Sequence, residues 1–265
     1  MVGSGYEVPD DVTIGEDVHG LDDALSSNVA AAYLVSGEGV LEPDRFVQSL
    51  AAAVVDPGGQ VHEHTSIVGF ERSNGHVVAV WTDQGIRPCS AVVVAAGTWS
   101  DALMRELGRR LSLRSGKGYS FSVELDPAPL RPLYLGDKRI VATPMKDAVR
   151  IAGTMELSGN NGRLDWRRIV AIASGSRHYL GRWYDDPAEL PGLIRDAWVG
   201  GRPLLPDGLP VLDRVTGYRN AFVATGHGML GITLAPASGK ALAEYVVTGR
   251  RPEVLEPFRF DRFGS

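Results

Sequence analysis

The spacing of apolar residues along the chain predicts four helices. The first covers residues 41–55, where Pro43 suits a first helical turn and the Pro57-Gly58-Gly59 segment ends the helix. The other three are predicted over residues 101–107, 166–180 and 235–247. Between these helices lie shorter apolar runs that are typical of strands.

Strands are predicted where apolar and polar residues alternate, or where a short run is wholly apolar. Asn74-Gly75 is a strong tight-turn signal that joins two strands into a hairpin. The run at residues 91–95 is apolar at every position, which favours a parallel strand covered on both faces. The predicted strands cover residues 61–64, 67–71, 76–82, 91–95, 119–124, 139–143, 149–154 and 221–224. Together these elements predict a mixed α/β fold.

The composition indicates a folded protein and excludes several functional classes. Hydrophobic residues make up 44% of the 265 residues, which is enough apolar surface to exclude disorder as the dominant state. A formal net charge of −5 and scattered arginines argue against a nucleic-acid partner. The single cysteine, Cys89, excludes a disulfide framework and a cysteine-built metal site, and we expect it to be inert.

The hydrophobic pattern contains neither a membrane segment nor an export signal. No apolar run approaches the roughly 20 residues that a membrane helix needs. Residues 1–17 lack the basic and then apolar stretch of a secretory signal. A cytoplasmic globular protein is therefore expected.

Two glycine-containing segments follow predicted strands. Ala96-Gly97-Thr98 comes directly after the strand at 91–95, and its small residues would let backbone approach a ligand closely. The alternative is a tight strand-to-helix turn without a ligand. The second segment, Gly226 to Gly231, leads into a helix predicted to begin near Ala235-Pro236, where unpaired amides favour negative charge. A purely structural connection is the alternative there, although the density of glycine favours a ligand.

The charged and metal-ligating candidates are fewer. Arg202, between Gly201 and Pro203, lies on stiff backbone and could hold a carboxylate through a bidentate pair; the alternative is a solvated surface arginine. His62 and His64 would share one face of a predicted strand, but the lack of a third ligand argues against a metal site. Lys117 is expected in a structural loop.

Taken in order, five segments of the chain resemble the D-amino acid oxidase-like family of FAD-dependent oxidoreductases. Within that family the similarity is greatest to bacterial D-amino acid dehydrogenase small subunits and glycine oxidases. The segments are residues 41–46, 92–100, 116–119, 201–203 together with 206–210, and 226–236. The resemblance spans residues 39 to 263, which is most of the chain.

The resemblance implies two domains and a cofactor. Residues 39–115 and 195–265 would form an incomplete, Rossmann-like FAD-binding domain. Residues 116–194 would form a substrate domain with a mainly antiparallel sheet, and residues 1–38 would pack near it. The cofactor implied is FAD, and the partner implied is a small amino-acid substrate.

The resemblance also implies roles for individual residues. Arg202 would pair with the substrate carboxylate, and Ile67 would touch the adenine. Ala96 and Gly97 would lie beside the adenosine part of FAD. The loop that faces the flavin ring would contain Gly226, Gly228, Met229, Leu230, Gly231, Ile232 and Thr233. Some family members carry a polar or cationic group at the position of Met229, so amino-acid specificity stays open.

The activity implied is oxidation of an amino acid, with a D-amino acid or a glycine-like molecule as substrate. Hydride transfer to flavin from the carbon bearing the amine yields an imine, which water hydrolyses to a 2-oxo acid. The protein's task is to hold that carbon against the flavin in a dry pocket. An arginine clamp is sufficient for this positioning.

One family feature has no match in the sequence. Family members hold the FAD pyrophosphate with a strand, a Gly-x-Gly-x-x-Gly turn and a helix, whereas Gly3-Ser4-Gly5 has no preceding strand. Each hydrogen bond lost from that cradle is worth about 1.5–3 kcal/mol, so we expect the chain alone to bind FAD feebly or not at all.

Three explanations of the missing cradle stay open. The chain is a truncated or misannotated gene product, a split enzyme completed by a second chain, or a protein that binds flavin weakly through the surviving loops. The alternative function is a non-catalytic remnant or partner subunit, and a homo-oligomer is compatible with the same apolar surface. A nicotinamide-binding dehydrogenase is disfavoured because it too would need the dinucleotide fingerprint.

Overall fold

The computed structural model describes residues 13–181 and 183–263, and the chain divides into two compact units. The first unit contains the described residues up to Phe46 together with Gly118–Met155 and Gly162–Gly200. The second contains Val47–Lys117, Glu156–Asn161 and the described residues from Gly201 onward. The Gly3-Ser4-Gly5 segment considered above lies outside the described residues.

The described residues form strands of 2 to 10 residues and α-helices of 4 to 18 residues. The strands are β1 (Thr13–Ile14), β2 (Ala31–Ala32), β3 (Ile67–Ser73), β4 (His76–Thr82), β5 (Gly85–Pro88), β6 (Val92–Val94), β7 (Arg114–Val123), β8 (Leu133–Leu135), β9 (Ile140–Pro144), β10 (Val149–Glu156), β11 (Arg195–Leu204), β12 (Val211–Arg214) and β13 (Ala221–Thr225). The α-helices are α1 (Pro43–Val55), α2 (Ser100–Glu106), α3 (Trp166–Arg177), α4 (Leu190–Leu193) and α5 (Gly231–Thr248). Short 3₁₀ helices cover Gly15–Gly20, Gly97–Trp99, Pro187–Glu189, Glu253–Phe258 and Phe260–Phe263.

A five-stranded sheet dominates the first unit. Its strand order is β11-β7-β10-β9-β8, and the β8–β9 and β9–β10 pairs are antiparallel. One face carries Tyr119, Phe121 and Ile151, which are at most 1% exposed. These side chains belong to the same core as Ile169 of α3, whose first turn is capped by the Asp165 carboxylate. Alternation of large apolar residues along the strands therefore builds one packed face.

The second unit contains two three-stranded sheets. The first is an antiparallel meander, β3-β4-β5, and the predicted turn at Asn74-Gly75 joins its first two strands. Both turn residues have positive φ, 49° and 76°, as a two-residue hairpin turn requires. The second sheet has the order β12-β13-β6, with β13 and β6 parallel.

The prediction that β6 is covered on both faces is wrong. Val94 is 3% exposed and shares a core with Met104 of α2, but the neighbouring Val93 is 43% exposed. Successive side chains of a strand point to opposite faces, so only one face of β6 is covered by the described residues. The strand also lies at an edge of its sheet, next to β13 alone.

Other sequence predictions also need correction. No strand forms at residues 61–64: Glu63 and His64 lie in a turn, and His64 has a φ of 52°. The two histidines therefore do not share a strand face, and the described residues contain no cluster of three or more metal-ligating side chains. Lys117 lies in β7 rather than in a loop, and it is 2% exposed.

The C-terminal helix begins earlier than predicted. The amide of Leu234 donates to the carbonyl of Leu230 over 2.9 Å, so α5 starts at Gly231 and its first turn contains Ile232 and Thr233. The sequence placed the start near Pro236 because proline suits a first turn. Pro236 instead lies inside the helix. Among the described residues, no helix is long and apolar enough to cross a membrane.

Candidate functional site

The turn after β6 leaves open space beside its backbone. Gly97 has a φ of +54°, and a Cβ placed on it would meet no heavy atom within 4 Å. The amide of Trp99 donates to the carbonyl of Ala96 over 3.0 Å, which closes the turn before α2 begins. Thr98 is buried beneath it. The local sequence thus ends a strand and exposes a bare stretch of backbone at the carboxyl edge of the sheet.

The turn after β13 lies against the turn after β6. The Thr225 hydroxyl donates to the carbonyl oxygen of Gly97 over 2.9 Å. Gly226 follows with a φ of +87°, and a Cβ on it would lie 2.4 Å from Cδ1 of Leu205, so only glycine fits there. Because β6 and β13 are parallel neighbours, their two glycine turns meet at the same edge of the sheet.

The arginine segment reaches the same place. The amide of Gly228 donates to the carbonyl oxygen of Pro203 over 3.0 Å. A Cβ on Gly201 would lie 2.4 Å from Oγ of Ser115 and 2.9 Å from Cγ2 of Thr98. Glycine at this position therefore allows β11 to lie directly against the turn at Thr98. Three segments that the sequence singled out separately converge in the second unit.

Arg202 lies in the sequence between Gly201 and Pro203, the two residues that make these contacts, and it is partly buried. Burial lowers the pKa of its guanidinium, because removal from water disfavours the charged form. An arginine remains protonated even so, because its ordinary pKa lies far above neutral pH. A desolvated cation next to two glycine turns is suited to a carboxylate ligand.

The first turn of α5 presents uncapped amides beside apolar side chains. Leu230 at the N-cap makes no side-chain cap, and no acidic residue lies in the first turn. The amides of such a turn carry the positive end of the helix dipole. Met229 is 73% exposed, and Leu230 and Ile232 are 56% and 37% exposed. Amide donors next to apolar surface fit a planar ring that carries carbonyl oxygens, so these residues are compatible with a flavin.

His227 lies between the two glycines of this loop. Its Nε2 is 3.0 Å from Oγ of Ser238 in α5. Burial lowers the pKa of the imidazole below its ordinary 6.5, because the charged form loses hydration. The side chain is therefore neutral at pH 7 and connects the loop to the helix through this hydrogen bond.

A buried polar network under the site was missed from the sequence. The Lys117 ammonium donates to Oδ1 of Asn161 over 3.0 Å and lies 3.5 Å from Oε1 of Glu156. The Thr98 hydroxyl donates to Oδ1 of the adjacent Asn160 over 3.0 Å. The segment Glu156–Asn161 therefore ties β7 to the turn at Gly97. Its signal in the sequence is the Asn160-Asn161 pair that follows a predicted strand.

Ile67 stays apart from the convergence just described. It is the first residue of β3, pairs with Thr82 of β4, and is 38% exposed. None of the described contacts joins it to the two glycine turns or to Arg202. Its role at the adenine remains a prediction.

Comparison with known proteins gives the chain a clear set of relatives. The sequence profile of the family described as "FAD dependent oxidoreductase" matches residues 5–245. A D-amino-acid oxidase of Bradyrhizobium diazoefficiens is 30% identical over 224 residues, which is 84% of this chain and 52% of that protein. A D-amino acid dehydrogenase of Rhizorhabdus wittichii is 34% identical over 213 residues, or 79% of this chain and 49% of that protein. The chain thus spans about half the length of these curated relatives.

Solved structures give the same result for the fold. Glycine oxidase from Geobacillus kaustophilus has a TM-score of 0.81 at 25% identity, covering 96% of this chain and 68% of that one. Glycine oxidase from Bacillus cereus has a TM-score of 0.80 at 23% identity, covering 93% and 66%. The fold class and the family resemblance predicted from the sequence are both confirmed.

Proposed function

Because the chain belongs to the family of FAD dependent oxidoreductases, we propose that it forms the flavin-facing and substrate-binding part of an enzyme that oxidises an amino acid. The product would be an imine that water hydrolyses to a 2-oxo acid. When bound, FAD supplies the acceptor for the hydride that leaves the carbon bearing the amine. The observation that carries the proposal is the convergence of the turns at Gly97 and Gly228 with the segment at Arg202.

The backbone around the two glycine turns would hold the cofactor. Ala96 and Gly97 would face the adenosine side, where the turn has open space next to it. The loop from Gly226 to Leu230 and the amides of Gly231, Ile232 and Thr233 would receive the ring oxygens as hydrogen-bond donors. Ile67 would complete the adenine contact from β3.

Arg202 would hold the substrate. A guanidinium donates two parallel hydrogen bonds to a carboxylate, which fixes both distance and orientation. Its partly buried position strengthens that attraction, because less water screens the two charges. Substrate placement by one such clamp accounts for the chemistry without a separate acid–base pair.

A second polypeptide segment would be needed to complete the cofactor site. The curated relatives are about twice as long as the matched region. Parallel strands are ordinarily covered on both faces, whereas Val93 of the edge strand β6 is exposed. Helix α1 contains no buried residue, and its apolar side chains Val47, Leu50 and Val54 are 57%, 48% and 49% exposed. A strand and helix bearing Gly-x-Gly-x-x-Gly would cover such surfaces and supply the pyrophosphate cradle.

The same apolar surfaces favour one alternative, a non-catalytic subunit that binds another chain. The test uses the protein alone and together with the part of the R. wittichii dehydrogenase that this chain does not match. Flavin absorbance after gel filtration reports FAD binding, and reduction of an artificial dye reports oxidation of D-amino acids and glycine.

We expect the chain alone to retain little flavin, and the pair to retain it and to reduce the dye with an amino acid. Stoichiometric flavin on the chain alone would contradict the need for a second segment. A pair that holds flavin and oxidises none of these amino acids would contradict the proposed activity and favour the non-catalytic alternative.

A further inference from the structure

Three turns of the second unit line an open, shallow pocket away from the glycine turns described above. The pocket has a volume of about 440 Å³, and the side chains of Arg72, Asn74, Arg109 and Tyr218 line it. It lies at the amino ends of β6 and β13, where the amide of Val92 donates to the carbonyl of Asn220. Gly97 and Gly226 follow the carboxyl ends of the same strands, so the pocket is separate from the candidate FAD site.

One side of the pocket is formed by the turn between β12 and β13, which contains Gly217. Gly217 has a φ of +88°, and a Cβ on it would lie 2.4 Å from a terminal nitrogen of Arg109. Glycine therefore lets the guanidinium lie directly on the turn between β12 and β13. The Asn74-Gly75 hairpin turn also lines the pocket, and the amide of Arg219 donates to the carbonyl of Gly75 over 2.9 Å.

Backbone carbonyl oxygens next to the pocket already accept hydrogen bonds from Arg109 and Tyr218. Arg109 donates from Nε to the Thr216 carbonyl over 2.7 Å and from Nη1 to the Gly108 carbonyl over 3.2 Å. The Tyr218 hydroxyl donates to the Leu107 carbonyl over 2.8 Å. Nη2 of Arg109 has no acceptor among the described residues. These two bonds orient the Arg109 guanidinium, which is part of the pocket lining.

Arg72 adds a second cation on the other side. Within the described part of the chain, its Nη1 donates a hydrogen bond to the Tyr218 hydroxyl over 3.5 Å. The contact with Tyr218 and, more weakly, the charge of Glu106 raise the pKa of this guanidinium, so it stays charged. No carboxylate lines the pocket, and neither arginine forms an ion pair with a described acidic residue. The lining of the pocket therefore carries two positive groups and no carboxylate.

We propose that this pocket binds the phosphate group of a small molecule, held between Arg72 and Arg109. Guanidinium groups match phosphate oxygens in charge and geometry, and both can donate paired hydrogen bonds. The volume lies within the range of small-ligand pockets. Arg109 is already oriented by two carbonyls, which reduces the entropy lost on binding. The site does not depend on the proposed oxidation.

Calorimetric titration of the full chain tests the proposal, with inorganic phosphate and ribose 5-phosphate as probes at constant ionic strength. Neither probe contains the adenine or flavin that the candidate FAD site would recognise. We expect saturable binding with one site, and Arg72→Gln is expected to raise the dissociation constant at least about tenfold by removing a charge-assisted hydrogen bond. Tighter binding of the sugar phosphate than of free phosphate would identify a phosphorylated metabolite as the ligand; equal binding would identify phosphate itself.

Arg87→Gln is the matched control, because Arg87 is an exposed arginine of β5 outside the pocket. It should bind both probes as the unmodified chain does. Arg72→Gln keeps the Tyr218 bond to Leu107, and thermal unfolding without ligand checks that the variant is folded. Absence of saturable binding by the unmodified chain, or equal affinities in Arg72→Gln and Arg87→Gln, would overturn the proposal.

Discussion

The Thr225 hydroxyl donates a 2.9 Å hydrogen bond to the Gly97 carbonyl oxygen, across the carboxyl ends of two parallel strands. Thr225 is 2% exposed, so this bond lies out of contact with water. It joins two turns that are separated by 128 residues in the sequence. This hydroxyl therefore adds a direct link between the two turns to the backbone pairing of β6 with β13.

Replacement of Thr225 tests that link. Thr225→Val keeps the shape of the side chain but removes the donor, and we expect the free energy of unfolding in urea to fall by about 1–3 kcal/mol because the Gly97 carbonyl loses its partner. Thr225→Ser keeps the hydroxyl and should lose less. Equal stability of the valine variant and the unmodified chain would show that the bond is unimportant.

Gly226 should tolerate no side chain. Gly226→Ala places a Cβ at a φ of +87° and 2.4 Å from Cδ1 of Leu205, and we expect a loss of about 1–3 kcal/mol in unfolding free energy. Gly239→Ala is the matched control, because a Cβ there meets nothing within 4 Å inside α5. That variant should be more stable by about 0.5–1 kcal/mol. Urea denaturation of both variants measures the contrast, and a neutral Gly226→Ala would contradict it.

Lys117 and Glu156 should behave as a coupled pair. Lys117→Met leaves a carboxylate near a buried apolar group, and we expect it to destabilise the chain by about 3–5 kcal/mol. The double variant Lys117→Met, Glu156→Gln also removes the carboxylate charge that lies next to Lys117, and it should recover part of the loss. Additive effects of the two single substitutions in chemical denaturation would show that the pair is not coupled.

His227 should make stability depend on pH. Burial holds the pKa of the folded side chain below its ordinary 6.5, so the unfolded chain binds more protons between those two values. The free energy of unfolding should therefore fall as the pH drops below about 6.5 and level off below the folded pKa. His227→Gln should flatten this part of the profile in urea titrations. An unchanged profile in His227→Gln would assign the effect elsewhere.

Arg202 should control substrate binding once FAD is present. In the completed enzyme, Arg202→Ala removes a bidentate pair, and kcat/KM for the amino acid should fall by a factor of about 100 or more. Flavin content should be unchanged, since the residue faces the substrate in the proposal. Arg110→Ala, at an exposed arginine, is the control. Normal turnover by Arg202→Ala would remove this residue from the site.

Local signals predicted the parts of the fold that depend on a few neighbouring residues. The Asn74-Gly75 turn, the run that became β6 and the helix beginning at Pro43 are all confirmed, because turn chemistry and helical spacing act within a short stretch. The strand predicted at residues 61–64 does not form. An alternation of apolar and polar residues over only four positions is too short to distinguish a strand from a turn. Strand β11 was missed, because Gly200, Gly201 and Pro203 disfavour a strand interior; it lies at the edge of its sheet, where proline is tolerated.

The candidate site was only partly predictable. Glycine turns and Arg202 carry local signals, and their convergence follows from two parallel strands ending at one edge. The partnership of Lys117 with Asn161 joins residues 44 positions apart and depends on how β7 meets the segment after β10. No short pattern encodes such a pairing. The exposure of Val93 could not be predicted either, because a wholly apolar run has the same sequence pattern whether one or both faces of the strand are covered.

Pro236 divides α5 into a short first turn and a longer remainder. Proline has no amide hydrogen, so the carbonyl of Ile232, four residues earlier, has no helical donor at that position. The turn that presents Gly231 and Thr233 is thereby less strongly tied to the shaft of the helix than an unbroken ladder would make it. A small tilt of that turn relative to the rest of α5 would break no hydrogen bond to the Ile232 carbonyl, so Pro236 permits local adjustment of the first turn.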